Sequence, residues 1–172
     1  PVGSSLNKRV LKSLSKADHI VANSRFTKEL ALKLGVKDVT VINPGCNYPI
    51  PVNDEAKEHA KNIFGESSPK LITISRLDGR KSHHNVMMTV KNLLPKYPSL
   101  KYVSIGDGDE GNNLLRLRKT LGLEKSVEFI FKSTEQEKVA LLEQSNIFVM
   151  PSVIYKKSVE GFGITYICLL YT

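Results

Sequence analysis

From residue 54 onward, short apolar segments alternate in a regular order with segments of helical periodicity. Runs rich in β-branched and aromatic residues predict strands, and apolar residues three and four apart predict helices. Strands that alternate with helices favour a parallel sheet with right-handed crossovers, which is a doubly wound α/β fold. The strands lack clean polar and apolar alternation, as expected when both faces are covered. The predicted strands are 71–75, 100–105, 127–131 and 147–150.

The helices predicted between these strands begin and end at residues that commonly cap helices. Asp54 is expected to cap a helix that runs to Gly65, and Thr134 and Glu137 have the spacing of a capping box. A further helix is expected around 83–94. These caps set helix boundaries that fall between the strands, as the alternation requires.

The first 45 residues form a separate region. Their predicted elements are a basic amphipathic helix at 5–16, a strand at 20–22, a helix capped by Asn23 or Ser24, and a strand at 39–42. Residues 43–53 carry three of the eight prolines and are interpreted as a linker. We therefore predict a boundary that divides the chain into residues 1–45 and 46–172.

Composition excludes several classes of protein. Hydrophobic residues make up 41% and charged residues 24% of the chain, which is typical of a globular protein and not of a disordered one. No apolar run approaches the ~18 residues that suggest a membrane span. Cys46 and Cys168 lie far apart and outside any CxxC, so neither a disulfide framework nor a metal site is indicated. We therefore expect a reducing, cytoplasmic setting.

The charge balance favours an anionic partner. There are 25 Lys and Arg against 17 Asp and Glu, and the formal net charge is +8. Phosphate ligands, nucleic acid and a membrane surface all fit this balance. The basic residues are scattered and no RNP-like aromatic motif is present, which speaks against nucleic acid. A basic nucleic-acid or membrane-surface module stays open as the non-enzymatic alternative, and the helix at 5–16 is compatible with peripheral membrane association.

In doubly wound sheets, ligands bind beyond the carboxyl ends of the strands, so the loops there are the candidate sites. The first loop places Arg76, Arg80 and Lys81 between a strand end and a helix start. Arginine offers a bidentate fork, lysine a point charge and the helix start free N–H groups, which together suit a diphosphate. A solvated basic loop is the alternative. His83 and His84 are expected on the surface of the helix start, not on a metal.

The second loop contains Gly106, Gly108 and Gly111 and matches G-x-G-x-x-G between a strand and a helix. The match is typical of a dinucleotide-binding site. An NAD(P)-binding oxidoreductase domain is therefore an alternative function. Three carboxylates in the loop oppose a pyrophosphate there. The acid that would bind the ribose is also missing from the end of the next strand. A glycine turn near a ligand remains the preferred interpretation.

Two later loops carry further candidates. Phe131 and Lys132 end a predicted strand, and the residues after them are explained simply by capping of the next helix. Glu160 precedes Gly161 and Gly163 at a predicted helix start. This arrangement combines an acceptor for sugar hydroxyls with backbone N–H donors for phosphate. An ordinary glycine turn is the alternative.

Seven segments follow one another in a specific order and spacing. They are ADHIVANSRFTKEL (17–30), VINPG (41–45), ISRLDGRKSHHN (74–85), IGDGDE (105–110), VEFIF (127–131), SNIFVMPS (145–152) and VEGFGI (159–164). Together they resemble the C-terminal half of a family 4 glycosyltransferase of the GT-B fold, over nearly the whole chain. The insert between Ser152 and Glu160 is similar to that of the mannosyltransferase B-type branch, which suggests GDP-mannose as the donor.

The resemblance implies two Rossmann-like domains with the active site in the cleft between them. The N-terminal domain would bind a glycan or lipid-linked acceptor and the C-terminal domain a GDP- or UDP-linked sugar donor. The enzymes of this family retain anomeric configuration and generally need no metal or other cofactor, because protein cations neutralise the departing diphosphate. The match assigns that role to Arg76 and Lys81. It makes Glu160 the first carboxylate of the family's E-x7-E motif, near the donor sugar.

The resemblance also implies further donor contacts. Backbone N–H groups of 161–163, at Gly161, Phe162 and Gly163, would meet the diphosphate and the sugar hydroxyls, with Ile164 completing that turn. Phe131 and Lys132 would lie against the base, and Gly106 and Gly108 would form a glycine turn beside the ligand. In this reading, residues 1–45 are the end of the acceptor domain and the crossover, and 46–172 are the donor domain.

The chain departs from the family pattern at its C-terminal end. The second Glu of E-x7-E is expected at position 168, where this chain has Cys168. The chain also ends at Thr172, before the last strands and the returning helix of the family, and the residues after Ile167 no longer match. We therefore expect a truncated donor domain that binds the donor and transfers little sugar by itself.

Overall fold

The computed structural model describes residues 5–46, 50–156 and 158–169; for residues 5–8 and 168 it describes the backbone only. The described chain forms two units. The first comprises the N-terminal residues up to Cys46 together with Gly161–Ile164, and the second comprises Asn47–Glu160 and the residues from Thr165 onward.

The first unit is a short β–α–β arrangement preceded by a helix. Its elements are α1 (Ser5–Leu14), β1 (Ile20–Ala22), α2 (Arg25–Lys33) and β2 (Val39–Val41). The two strands pair in parallel, as the helix between them requires. Ser24 is the N-cap of α2, and its side chain and that of Thr27 form a reciprocal capping box. Of the two predicted caps, Ser24 is therefore the correct one.

The second unit is a four-stranded parallel sheet with helices between its strands. Its elements are α3 (Asp54–Phe64), β3 (Lys70–Ile74), α4 (His83–Leu93), β4 (Lys101–Ile105), α5 (Gly111–Thr120), β5 (Val127–Ile130), α6 (Glu135–Gln144) and β6 (Ile147–Phe148), followed by α7 (Ile164–Leu169). The strand order is β5-β4-β3-β6, and every pair is parallel. The predicted α/β doubly wound sheet is confirmed.

Two apolar cores cover the two faces of this sheet. On one face, α4 and α5 bury residues such as Met87 and Leu114 against Tyr102 and Val127. On the other, α3 and α6 bury Phe64 and Leu141, among others, against alternate residues of the same strands. Because the central strands β3 and β4 are covered on both sides, they need apolar residues in succession, which explains the missing alternation.

Most element boundaries differ from the prediction by a residue or two, and the start of α3 and the end of β6 are two examples. Asn53, not Asp54, is the N-cap of α3; its side chain accepts the N–H of Ala56, and Asp54 is the first helical residue. The last strand ends at Phe148 instead of residue 150, although the N–H of Val149 still donates to the carbonyl of Ile72. Asparagine and aspartate cap helices about equally well, so the sequence could not separate neighbouring candidates.

Across the described residues, none of the helices combines the length and the apolar character needed to cross a bilayer. The face predicted for Leu6 in α1 lies outside the described side chains, as do three residues of the predicted linker and the last three residues of the chain.

Candidate functional site

The strand order places a crevice between the carboxyl ends of β3 and β6. From β3 the chain runs outward through β4 to β5, and it then returns past β3 to β6 on the other side. Where crossovers leave neighbouring strands in opposite directions, their loops diverge and leave room for a ligand. The loops that follow β3 and β6 therefore define the candidate site.

The loop after β3 is shaped by its own polar residues. Asp78 caps a single 3-10 turn at Gly79–Lys81, because its Oδ1 accepts the N–H of Lys81 at 3.1 Å. Ser82 follows in the left-handed conformation, with φ of 60°, and its buried hydroxyl accepts a hydrogen bond from the Asn85 side chain at 2.8 Å. These contacts turn Lys81 inward, so that only 8% of the residue is exposed.

Lys81 and Glu160 meet in an ion pair at this crevice. The Lys81 ammonium bonds to Oε2 of Glu160 and lies 3.3 Å from the Met150 sulfur. The same oxygen accepts from Nη1 of Arg80 at 2.5 Å and from the Ser152 hydroxyl at 3.2 Å. Burial alone would raise the pKa of Glu160, but the two cations outweigh it and hold the pKa below its ordinary value. The site thus contains a preorganised carboxylate and two cations.

Of the two cations proposed from the sequence, only Lys81 belongs to this cluster. Arg76 is exposed, and its guanidinium forms no hydrogen bond or ion pair with any residue the structure describes. Arg80 takes the place beside Glu160, with Asp78 at 3.7 Å behind it. The sequence marks Arg80 as one of three cations in the loop, but it contains no local signal that favours Arg80 over Arg76.

His83 was predicted at the surface, and this prediction is wrong: it is 2% exposed, whereas His84 is exposed as expected. Its Nε2 lies 3.2 Å from both the Arg76 carbonyl and the Ser75 hydroxyl. On the other side, Nδ1 lies 3.2 Å from the hydroxyls of Tyr102 and Ser104. His83 is the first residue of α4 and lies on the buried face of that helix, together with Val86 and Met87.

The chemistry of these partners determines how the imidazole is protonated. A carbonyl oxygen only accepts, so Nε2 carries the proton and donates to Arg76, and Nδ1 accepts from a hydroxyl. Burial lowers the pKa of His83, although the hydrogen bond to Arg76 acts in the opposite direction. Burial also raises the pKa of Tyr102 to about 12. His83, Tyr102 and Ser104 therefore form a neutral hydrogen-bonded network. This network contacts the basic loop, residues 76–82, at the Arg76 carbonyl.

The glycines of the loop after β4 have a packing role in this structure. A Cβ at Gly106 would lie 2.1 Å from the Ser75 carbonyl oxygen, and one at Gly108 would lie 2.5 Å from that of Leu77. Two backbone hydrogen bonds join the loops at this point, from Leu77 to Asp107 and from Glu110 to Leu77. Gly106 and Gly108 therefore allow the backbone of the loop after β3 to pack closely against them. Their contact with a ligand stays a prediction.

A second cavity opens beside these glycines at the ends of β3, β4 and β5. It has a volume of about 440 Å³. Its lining combines apolar, hydroxyl and basic side chains, and the residues are Ile74, Ser75, Ile105, Gly106, Phe131, Lys132, Ser133, Lys138 and Thr165. Three predicted donor residues, Gly106, Phe131 and Lys132, thus share one cavity. Phe131 as a whole residue is 39% exposed.

The other predicted donor turn, Gly161–Ile164, is grouped with the first unit. A Cβ at Gly161 would lie 2.9 Å from the Asn23 side chain, and Gly163 is buried with φ of 79°. Phe162 is half-buried, and Ile164 is exposed at the start of α7. The side chain of Cys168 lies outside the described residues. No group of His, Cys, Asp and Glu suited to a metal ion occurs within the described part of the chain.

Comparison with known proteins identifies the family. The family model "Glycosyl transferases group 1" matches residues 54–167, which is more than half of the chain. An uncharacterized glycosyltransferase of Methanocaldococcus jannaschii is 30% identical over 101 residues, covering 59% of this chain and 24% of that protein. The D-inositol 3-phosphate glycosyltransferase of Corynebacterium urealyticum is 27% identical over 137 residues, covering 73% of this chain and 31% of that protein. The chain thus spans about a quarter to a third of these relatives.

Solved structures of low sequence identity show the same fold. Anabaena HepE in complex with UDP and glucose superposes with a TM-score of 0.75 at 20% identity, covering 96% of this chain and 47% of that one. The pneumococcal O-GlcNAc transferase GtfA in complex with UDP and GlcNAc gives a TM-score of 0.68 at 17% identity, covering 94% and 30%. These likenesses agree with a Rossmann-like domain of a GT-B enzyme. The family match over residues 54–167 shows that the chain belongs to the group 1 glycosyl transferases.

Proposed function

We propose that this chain is the donor-binding half of a retaining, family 4-like glycosyltransferase. The enzyme would move a hexose from a nucleotide-diphosphate sugar to a glycan or glycolipid acceptor held by a further domain. It would act in the cytoplasm, at the inner face of the membrane where the acceptor is lipid-linked. The chain alone would bind the donor and transfer little, because Cys168 stands where the family pattern has its second Glu.

The observation that carries this proposal is the Lys81–Glu160 pair at the β3–β6 crevice. Lys81 is nearly buried and its ammonium already contacts an oxygen anion. Diphosphate oxygens are chemically similar acceptors, so Lys81 would exchange the Glu160 oxygen for a diphosphate oxygen and stabilise the charge that develops as the sugar leaves. Arg76, exposed at the edge of the same loop, would supply a second, bidentate contact to the diphosphate.

The cavity beside the crevice has the properties of a site for the nucleoside. Phe131 offers an exposed aromatic ring on which a base can stack, and Lys132 and Lys138 add positive charge. The volume of about 440 Å³ falls within the range of small-molecule sites. The nucleoside would lie there, with its diphosphate directed toward Lys81.

Two observations bear on the identity of the donor. The insert before Glu160 suggests GDP-mannose, whereas the two structural neighbours named above contain UDP. We propose a GDP- or UDP-linked hexose and no bound metal in the transfer step, with Lys81 and Arg76 in the place of a divalent cation.

Calorimetric titration with GDP, UDP and ADP tests the proposal. We expect one of the first two to bind the parent chain, and a variant carrying Arg76→Ala and Lys81→Ala to bind it at least about tenfold more weakly. Each lost charged hydrogen bond costs on the order of 1.5–3 kcal/mol. The matched control carries Lys61→Ala and Lys91→Ala, two exposed helical lysines whose removal changes the net charge equally. Equal affinity of the double variant and the parent would show that the assigned cations are wrong.

A further inference from the structure

Arg80 lies beside Lys81 in the basic loop, and its guanidinium is directed at Glu160 instead of solvent. Only 16% of its side chain is exposed; Nη1 lies 2.5 Å from Oε2 of Glu160, and Nη2 lies 3.7 Å from Oδ2 of Asp78. We propose that Arg80 is a positioning residue that holds Glu160 in place when Lys81 turns to the donor diphosphate. This inference rests on the donor-binding function proposed above.

The two oxygens of Glu160 have different surroundings. Oε2 accepts from Lys81, Arg80 and Ser152, whereas Oε1 has no hydrogen-bond partner among the residues the structure describes. One oxygen therefore anchors the carboxylate, and the other is left to accept a hydroxyl of the donor sugar. The Glu160 carboxylate can orient the donor sugar only if a hydrogen bond to Oε2 remains when the donor binds.

Lys81 cannot be that persistent anchor if it also binds the diphosphate. Its ammonium is a flexible point charge, and a diphosphate would compete with Glu160 for its protons. Arg80 is held from two sides: Asp78 lies behind its guanidinium, and its carbonyl accepts the N–H of Val153 at 2.8 Å. Arg80 is therefore the cation that remains on Glu160.

The charged and titratable groups around Glu160 come from two elements. Arg80 and Lys81 face it from the 3-10 turn, with Asp78 behind Arg80, and Tyr166 faces it from α7. Burial and the negative charge of Glu160 together raise the pKa of the Tyr166 phenol. Among these groups, Arg80 and Lys81 are the two that favour the ionised carboxylate.

Carbon-detected NMR titration of the Glu160 carboxyl in the full chain tests this role. We expect Arg80→Gln to move its midpoint upward without nucleotide, and further upward with saturating UDP or GDP, because an opposite charge within hydrogen-bond distance lowers a carboxyl pKa. Arg80→Lys should restore most of the wild-type midpoint. Arg116→Gln, at an exposed position on α5, is the control for the loss of one positive charge.

Titration curves of Glu160 that coincide in Arg80→Gln and the wild type, without nucleotide, would overturn the proposal. A second measurement needs no variant: on addition of UDP or GDP to the wild type, the Lys81 Nζ signals should shift and the Arg80 guanidinium signals should stay. An Arg80 signal that shifts with Lys81 would place Arg80 on the phosphate and also overturn the proposal. If no nucleotide diphosphate binds, the donor function fails, while the nucleotide-free titration still decides whether Arg80 holds Glu160.

Discussion

The loop after β3 and the loop after β4 lie side by side at the same edge of the sheet, yet they serve different purposes. The first turns charged side chains inward, where Lys81 and Arg80 meet Glu160. The second has three glycines in a familiar nucleotide-binding spacing, but Gly106 and Gly108 face the backbone of the first loop. The glycine-rich loop therefore packs against the loop after β3, and the loop after β3 holds the cations of the ion pair.

This difference shows that a glycine motif indicates a group packed close to the backbone, but does not distinguish a ligand from another part of the protein. A missing Cβ admits any group that must come within about 3 Å of the backbone, whether ligand or protein. Charged residues held in the interior are more specific, because burying them is costly unless a partner is present. Substitutions in the two loops should therefore differ in how much they lower the free energy of unfolding.

Gly106→Ala should give the largest loss. The new Cβ would lie 2.1 Å from the Ser75 carbonyl oxygen, in a residue whose φ is 139°. Overpacking and backbone strain together should lower the free energy of unfolding by about 4 kcal/mol, measured by urea denaturation. Gly122→Ala is the control, because it has φ of 68° but open space around the Cβ. It should cost about 1 kcal/mol. Equal losses in both variants would refute the packing role of Gly106.

Glu160→Gln should be the next most costly change. It leaves Lys81, nearly buried, and Arg80 without their anionic partner, which should cost about 2 kcal/mol at neutral pH. Because the pKa of Glu160 is lowered in the folded state, its contribution is present above pH 4.5 and is lost as pH falls below that value. Urea denaturation at pH 7 and pH 4 should therefore show a smaller difference between wild type and variant at pH 4. Glu143→Gln, on the exposed side of α6, should have little effect.

His83 should make the stability of the second unit depend on pH in a different window. Its pKa is lowered by burial, so the unfolded chain binds its proton first as pH falls below 6.5. Stability should therefore fall with decreasing pH below 6.5, by at most about 1.4 kcal/mol per pH unit from this group. His83→Gln should remove that slope and keep a donor for the Arg76 carbonyl. His84→Gln, at the exposed neighbour, should keep the slope; its loss there would contradict the assignment.

Arg76→Ala should have the smallest effect on folding. Its exposed guanidinium has no partner among the described residues, so the free energy of unfolding should change by less than about 0.5 kcal/mol. Affinity for the nucleotide diphosphate should nevertheless fall, which calorimetry on the same sample can measure. A large loss of stability would mean that Arg76 serves the fold of the loop and is not reserved for the ligand.

Much of the fold followed from local patterns. The alternation of strands and helices predicted the parallel sheet, and the spacing of Thr134 and Glu137 predicted the capping box of α6. These features depend on neighbours within one helical turn, or on periodicity along one segment, so the order of residues is sufficient to reveal them. The same locality explains why the cap of α3 was misplaced by one residue, since Asn53 and Asp54 are equally suitable.

The residues of the candidate site were predicted from the sequence only in part. Lys81 and Glu160 were both proposed, but they are 79 residues apart, and their direct contact exists only because β6 returns to the side of β3. Arg80 was named among the loop cations without a role, and the structure places it against Glu160, whereas His83, expected at the surface, is buried. Which of three neighbouring cations turns inward depends on Asp78 and the short turn it caps, which no periodicity in the sequence reports.

The sequence by itself determined the alternating α/β pattern, the positions of the glycines, and the presence of several basic residues after the carboxyl end of β3. Only the tertiary structure decided which of those residues are buried, which pair, and what the glycines face. The physical reason is range: propensity and capping act between residues close in the chain, whereas desolvation and ion pairing act between whatever groups the fold brings together.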